Sequence, residues 1–279
     1  KQFPFLNLLS LAFPVLMILN VVFCIGWILA KKKRVLFFVG VSLLLINPTK
    51  RWINWSPESE EIPNLKIITI NIKAGNLGRE KIYDYLENSG ADLILGQEYG
   101  NEFNVPNYEH KTNEQAIVAT NSKTEILKIQ NLNLDGRGSA IFTDIKINGK
   151  IIRVFNIYLN PFSFDKQKLK PSEDLEKNEG KLRYAVRRLV PTFKIHQQEI
   201  AVIRKAIDDS PYPVIVAGDF NSVPNSYEYY ELGKGLMDGF VAEGRGNSAS
   251  FYDYKFPIRI DYIFASKEIK PVRYKVDTS

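Results

Sequence analysis

The chain has 279 residues and a mass of 32.0 kDa, and 45% of it is hydrophobic, which suffices for a sizeable core and excludes disorder as the main state. Its formal charge of +6 is uneven: residues 1–55 hold seven Lys/Arg (Lys1, Lys31, Lys32, Lys33, Arg34, Lys50, Arg51) and no Asp or Glu, whereas residues 56–279 carry 30 Lys/Arg against 31 Asp/Glu. The larger part is therefore near neutral, without the basic balance of many nucleic-acid binders, and the single Cys24 excludes an internal disulfide.

The chain opens on Lys1 and is read as a fragment or processed product. Phe3 to Ala30 is 28 residues without a charge, about 42 Å as a helix, where a hydrocarbon core of about 30 Å has to be crossed. A secretory signal has a shorter apolar region followed by a small-residue cleavage site; here Lys31-Lys32-Lys33-Arg34 follows, which favours a spanning helix. Val35 to Thr49 is a second uncharged run. Extended to Trp55, with Lys50 and Arg51 snorkelling and Trp52 and Trp55 in the headgroup belt, it predicts a second crossing helix over about 35–55. The basic cluster then lies in the cytoplasm and the globular part is extracytoplasmic.

Ser56 to Asn64, with two prolines, reads as a linker. Leu65 to Ile72 predicts a buried strand, the segment between Gly78 and Gly90 a helix, and Ala91 to Gly96 a second strand. Ser139 to Ile147 and Ile151 to Leu159 flank Asn148-Gly149-Lys150 and predict an antiparallel hairpin. Ile195 to Asp208 predicts an amphipathic helix, and Pro213 to Phe220 and Arg259 to Ala265 two further strands. Strands alternate with helices while a hairpin also occurs, which predicts a mixed α/β sandwich.

Polar residues stand where the apolar strands end: Asn71, Glu98, Asp219 with Asn221, and Asp261. Carried to one end of the sheets, their hard oxygens suit Mg²⁺ or Mn²⁺, ions that keep several waters and a substrate phosphate. One Cys and two His, His110 and His196, do not make a structural zinc centre, and neither a Walker-type loop nor a G-x-S-x-G elbow is present. Singly, each acidic residue reads as a turn or cap; the ordered set is what points to a site.

Ile67-Ile-Thr-Ile-Asn71, Leu93-Ile-Leu-Gly-Gln-Glu98, Val154-Phe-Asn156-Ile-Tyr158-Leu, Gly218-Asp219-Phe-Asn221 and Arg259-Ile-Asp261-Tyr-Ile-Phe264 resemble, in order and spacing, the endonuclease/exonuclease/phosphatase superfamily. The likeness spans residues 65–274, and the N-terminal layout is similar to membrane-anchored bacterial members with helices before the catalytic domain. The resemblance implies a four-layer α/β sandwich, two central mixed sheets flanked by helices, over residues 65–279, with the family's last strand and Asp-His motif lacking. It also implies Mg²⁺-dependent hydrolysis of phosphate esters, with Mn²⁺ as the alternative ion.

By the same resemblance, Glu98 binds the metal and Asn71 supports metal and phosphate. Asp219 orients or deprotonates the attacking water, Asn221 bonds to phosphate oxygens, and Asp261 organises the metal and histidine side of the site. Tyr158 stands where many members carry a histidine, and apurinic-site endonucleases look similar in using tyrosine there; it reads as a phosphate donor or as a core tyrosine. The Ser-Asp-His segment of the family does not occur before Ser279, and the missing histidine is expected in a native continuation. His196 and His110 both read as solvated surface residues.

Pro161 to Pro191 is a long insertion with eight Lys/Arg against five acidic residues. Arg183, Arg187 and Arg188 read as contacts to phosphates or anionic headgroups, or as an ordinary solvated helix face. Phe162 and Phe164 read as a substrate wall or as core anchors, and Asn160 as a phosphate contact. The function expected is a membrane-anchored, Mg²⁺-dependent phosphodiesterase of nuclease type. Alternatives are a lipid or sugar phosphatase or phospholipase of the same superfamily, and a catalytically silent membrane-tethered binding protein. The partners are then a phosphate-ester substrate and the membrane, and no protein partner is implied.

Overall fold

The computed structural model describes residues 4–73, 76, 78–99, 105–112, 117–162, 175–253 and 256–277. Phe164 and the basic residues Lys166, Lys168 and Lys170 of the insertion lie outside the described residues. The apolar N-terminal run forms α1 (Asn7–Leu29), the one described helix long and apolar enough to cross a membrane. It turns at the basic cluster into α2 (Val35–Leu44), and the two lie antiparallel. Asn20 Nδ2 donates to Ser42 Oγ at 2.7 Å, and Phe23 stacks on Phe38 at 5.3 Å.

A single helix over 35–55 does not form. After α2 comes a short α3 (Ile46–Lys50), and Ile53–Trp55 is a strand, β1, paired antiparallel with Arg245–Asn247 of the globular part. Arg51 does not snorkel: its guanidinium donates to Asn225 Oδ1 and Tyr230 Oη, each at 2.6 Å. Trp52 is buried and stacks on Phe13 at 6.5 Å, so its ring is covered by protein. The reason is that the backbone and side chains of 51–55 find partners on the globular surface that a lipid phase does not offer.

The globular part has four layers. The first sheet contains β2 (Ile67–Asn71), β3 (Leu93–Gln97), β4 (His110–Lys111) and β5 (Val118–Ser122), in the order β2-β3-β5-β4, with β2 and β3 parallel. Its outer face packs Ile68, Ile70 and Ile94 against Ile82 and Leu86 of α4 (Arg79–Asn88). The second sheet contains β6 (Ile126–Asn131), β7 (Ser139–Ile147), β8 (Lys150–Tyr158), β9 (Val214–Asp219), β10 (Met237–Asp238) and, past α6 (Tyr227–Leu232), α7 (Gly239–Glu243) and β11 (Arg245–Asn247), β12 (Asp261–Ala265). Its order is β10-β12-β9-β8-β7-β6. Leu93, Leu95, Ile145, Val154, Ile215 and Ala217 fill the space between the sheets. The period-2 alternation of each strand sends one set of side chains inward and the other to the helices.

A polar clamp crosses this inner layer. Gln97 Nε2 donates to Asn156 Oδ1 at 2.7 Å, and Asn156 Nδ2 donates to the Ala119 carbonyl at 2.9 Å. Both side chains are fully buried, so this satisfied network fixes the registry of one sheet on the other. The β7–β8 hairpin turns at Asn148 and Gly149, with φ of 49° and 80°, the signs a two-residue type I′ turn requires.

The last layer is α5, which spans Leu175–Asp208 and so begins twenty residues before the predicted Ile195. Pro191 lies inside it and points to solvent, while Leu189, Phe193, His196, Ile200, Ile203 and Ile207 continue one inward stripe at spacings of three and four. Packing of that stripe on β8 and β9 overrides the stop signal of the proline. His196 is consequently fully buried on the inner face, whereas His110 is half-buried on β4.

Candidate active site

β2, β3, β8 and β9 all end at the same edge of the sandwich, and β12, antiparallel to β9, begins there. This brings Asn71, Glu98, Tyr158, Asp219 and Asp261 together as the sequence predicts. In register, Tyr158 lies opposite Asp219 and Asp219 opposite Asp261. Asn71 Nδ2 donates to Glu98 Oε1 and to Asp219 Oδ2, both at 3.0 Å, so one amide joins the two sheets across the site. Tyr158 Oη donates to the same Glu98 Oε1 at 2.9 Å. Asn221 donates its backbone N–H to Asp219 Oδ1 at 2.8 Å and its side chain to the Leu159 carbonyl at 2.8 Å.

Three non-glycine residues at this edge, Lys73, Glu98 and Asn221, hold left-handed backbone with φ of 46°, 47° and 45°. Such residues cost on the order of 1–3 kcal/mol each and persist where the surroundings fix them. Here the partners are visible: the Lys73 N–H donates to Asn71 Oδ1 at 3.1 Å, and that of Asn221 to Asp219. The residues border a cavity of about 1030 Å³.

Burial and the neighbouring Glu98 charge push the Asp219 carboxyl up to about 6, although bonds from Asn71 and Asn221 oppose the shift. Burial and then Asp219 raise Asp261 well above the ordinary carboxylate range. Burial and the Glu98 charge likewise raise Tyr158, which keeps its proton and donates it to Glu98. Crowded carboxylates of this kind suit a cation as counter-charge. Among the described residues, no three His, Cys, Asp or Glu side chains form a metal-holding group. Glu98 offers a carboxylate to a hard ion that keeps most of its water, as Mg²⁺ does; Asn71 faces it with Nδ2 while its Oδ1 accepts from the Lys73 N–H, so it would join as an oxygen ligand once the amide turned over.

Two predicted contacts lie apart. Asn160 is buried, with Oδ1 accepting from the Arg137 N–H at 3.0 Å, its backbone N–H donating to Glu199 Oε2 at 3.0 Å and its carbonyl bonded to His196 Nε2 at 2.8 Å. It is a structural junction between β8 and α5. Arg187 is exposed on α5 and does not border the cavity. Nor is His196 solvated: its Nδ1 lies 2.9 Å from Glu228 Oε1. Phe162 does border the cavity and makes edge contacts with Phe193 and His196.

Sequence reasoning missed Ser250, whose Oγ donates to Asp261 Oδ2 at 2.6 Å, and the pair of Arg259 with Asp238, bonded at 2.8 and 2.7 Å with both side chains buried. Ser250 lies in a loop without periodicity, and a search for charged partners of the buried Arg259 is the only signal that leads to Asp238.

The model of the Endonuclease/Exonuclease/phosphatase family matches residues 68–279, and that of a domain of unknown function, DUF8431, matches residues 1–52. No curated protein matches the chain significantly. Among solved structures, the chain is similar to D. rerio TDP2 humanized by 14 mutations, at 16% identity and a TM-score of 0.53 over 74% of this chain and 86% of that one. It is also similar to an endonuclease/exonuclease/phosphatase from Bacteroides vulgatus, at 16% identity and 0.53 over 73% and 87%. A β-hairpin deletion mutant of beta toxin from Staphylococcus aureus gives 17% identity and 0.53 over 77% and 92%. At these identities the structures share a fold, and the family match over most of the chain goes further: the chain belongs to the endonuclease/exonuclease/phosphatase family.

Proposed function

We propose that the chain is a membrane-anchored, divalent-metal-dependent phosphodiesterase, with Mg²⁺ or Mn²⁺ held at Glu98 and Asn71. The observation that carries this reading is the Asn71 amide bonded to Glu98 on one side and Asp219 on the other at 3.0 Å each, which ties a metal ligand to a water-activating carboxylate. The bound ion supplies charge neutralisation at the phosphoryl oxygens and the departing oxygen. Asp219, itself held by Asn71 and the Asn221 N–H, positions a water in line with the phosphorus and takes its proton. Asn221, and the protonated Tyr158 once its hydroxyl turns from Glu98, donate to phosphate oxygens, and Asp261, held by Ser250, fixes the strand position beside Asp219. Positioning and electrostatics suffice, without a covalent intermediate.

The length and apolar surface of α1, and the basic turn that follows it, support a membrane anchor with the globular part on the extracytoplasmic side. D. rerio TDP2 is known in complex with a single-strand DNA product, which supports the nuclease-type reading of the substrate. A phosphate-ester lipid is the second reading, favoured by one observation: α1 contributes to the wall of the cavity.

The test is hydrolysis of bis-p-nitrophenyl phosphate by the full-length protein with Mg²⁺, Mn²⁺ or EDTA. Glu98→Gln and Asp219→Asn are each expected to abolish turnover while circular dichroism stays unchanged. Near-normal turnover in either variant, or full turnover in EDTA, overturns the reading.

A further inference from the structure

α1 is longer than the arm that returns from the basic turn. Its 23 residues make about 34 Å, whereas residues 35–50 make about 24 Å. The arms are level where Phe13 stacks on Trp52, so residues 7–13 run on past the returning arm and lie along the globular part. Asn7 is buried there, with its amide on Glu228. Further along, Leu11 and Val15 border the same cavity as Asn71, Glu98 and Asp219. They are 39% and 54% exposed, so the two side chains belong both to the cavity wall and to the apolar surface of the helix. Phe162, Leu189 and Phe193 complete that apolar side.

On the membrane-anchor reading, about 20 residues cross the hydrocarbon core. Counted back from Lys31, they reach the near boundary around Ser10 and Leu11, level with the mouth of the cavity. On that reading the catalytic end carries the carboxylates, and the end at α1, where Leu11 and Val15 follow Asn7 and Ser10, opens at the bilayer. A nucleic acid, polyanionic along its length, gains nothing from an apolar wall continuous with lipid, whereas an alkyl chain does.

We infer that the cleft takes its substrate from the bilayer: a phosphate ester bearing a long apolar chain, its phosphate at Asn71, Glu98, Asp219 and Asn221 and its chain along Leu11, Val15, Phe162, Leu189 and Phe193. The inference rests on the phosphodiesterase reading. Hydrolysis consumes one water: its oxygen bonds to phosphorus, the P–O bond to one esterifying alcohol breaks, and the departing oxygen takes the proton. Apolar contacts remote from phosphorus would fix the ester in line with Asp219.

The test uses the full chain in phosphatidylcholine nanodiscs with Mg²⁺ or Mn²⁺, and compares p-nitrophenyl hexadecyl phosphate with p-nitrophenyl methyl phosphate. The two share a leaving group and differ only in the chain. The expected ratio of kcat/KM is about 100-fold in favour of the hexadecyl ester, falling about tenfold in a Leu11→Glu, Val15→Glu double variant and in Phe162→Ala. Equal turnover of the two esters, or faster cleavage of a single-stranded oligonucleotide, overturns the inference and leaves the phosphodiesterase reading standing. A second measurement does not depend on turnover: hexadecyl phosphate with a mid-chain diazirine is expected to crosslink to peptides containing residues 11–15, 162 or 189–193. Crosslinks there without turnover retain the chain site and overturn the hydrolase reading. Absence of crosslinks at all three overturns the chain site.

Discussion

Asn7, the first residue of α1, donates its side-chain amide to both carboxylate oxygens of Glu228, 221 positions away, at 2.9 and 2.7 Å. The Tyr227 N–H returns a bond to Asn7 Oδ1 at 2.9 Å, and Ser222 Oγ and His196 Nδ1 meet the remaining faces of the carboxylate at 2.9 Å each. The apolar helix is thereby pinned by a polar residue at its first turn, close to the cavity.

Because the acceptor is a buried carboxylate, removing its amide partner should be costly. Asn7→Ala is expected to lower stability by about 1.5–3 kcal/mol, measured as the unfolding midpoint of the full chain in detergent micelles. An unchanged midpoint, with unchanged protease resistance at residues 7–15, contradicts docking of α1.

The same network sets a pH dependence. Burial alone lowers the His196 pKa, but the bond and charge of Glu228, with the Asn160 carbonyl, outweigh it and leave it above 6.5. Burial raises Glu228, and the bond and charge of His196 with the Ser222 hydroxyl take it below 4.5. The His196 contribution is complete below pH 6.5 and fades as pH rises through its raised value; that of Glu228 is complete above pH 4.5 and is lost as pH falls through its lowered value. The stability difference between the native chain and His196→Gln is therefore expected to be largest between those limits and to shrink on the alkaline side. A difference that grows with alkaline pH contradicts the ion pair.

Tyr158→Phe removes one hydroxyl that donates to Glu98 and, on the proposed mechanism, to phosphate. The ring remains in its place beside Val118 and Ile141, so the fold should be kept while kcat falls about 100-fold on bis-p-nitrophenyl phosphate. A loss confined to KM assigns the hydroxyl to uniform binding, equal in the ground and transition states.

Arg259→Met leaves the Asp238 carboxylate buried beside Tyr229 without its bidentate partner. The expected cost is about 3–5 kcal/mol, and Arg259→Met combined with Asp238→Leu should recover most of it. Denaturant midpoints of the three chains check both statements.

Gly218 precedes Asp219 with φ of 137°, and a Cβ there would stand 1.9 Å from the Ile157 carbonyl oxygen. That oxygen belongs to the adjoining parallel strand and cannot withdraw. Gly218→Ala is expected to cost more than about 4 kcal/mol and to abolish soluble expression of the globular part; a stable Ala variant contradicts the close approach.

The sequence by itself determined the strands that carry the site and the order in which they deliver it. β-branched runs closed by Asn71, Asp219 and a preceding Glu98 are local patterns, and so is the Asn148-Gly149 turn, because side-chain period and left-handed backbone are properties of a few neighbouring residues. The polar strand β5, wholly buried, was not legible, since its burial comes from β3 and from Asn156 on the other sheet. Tertiary structure alone decided that Pro191 sits within a helix, that His196 faces Glu228, and that residues 51–55 dock on the globular part. It also decided that the apolar N-terminal helix borders the cavity of the carboxylates. Those relationships join residues far apart in the chain; they depend on which surfaces meet when the layers pack, and no periodicity of the chain encodes that.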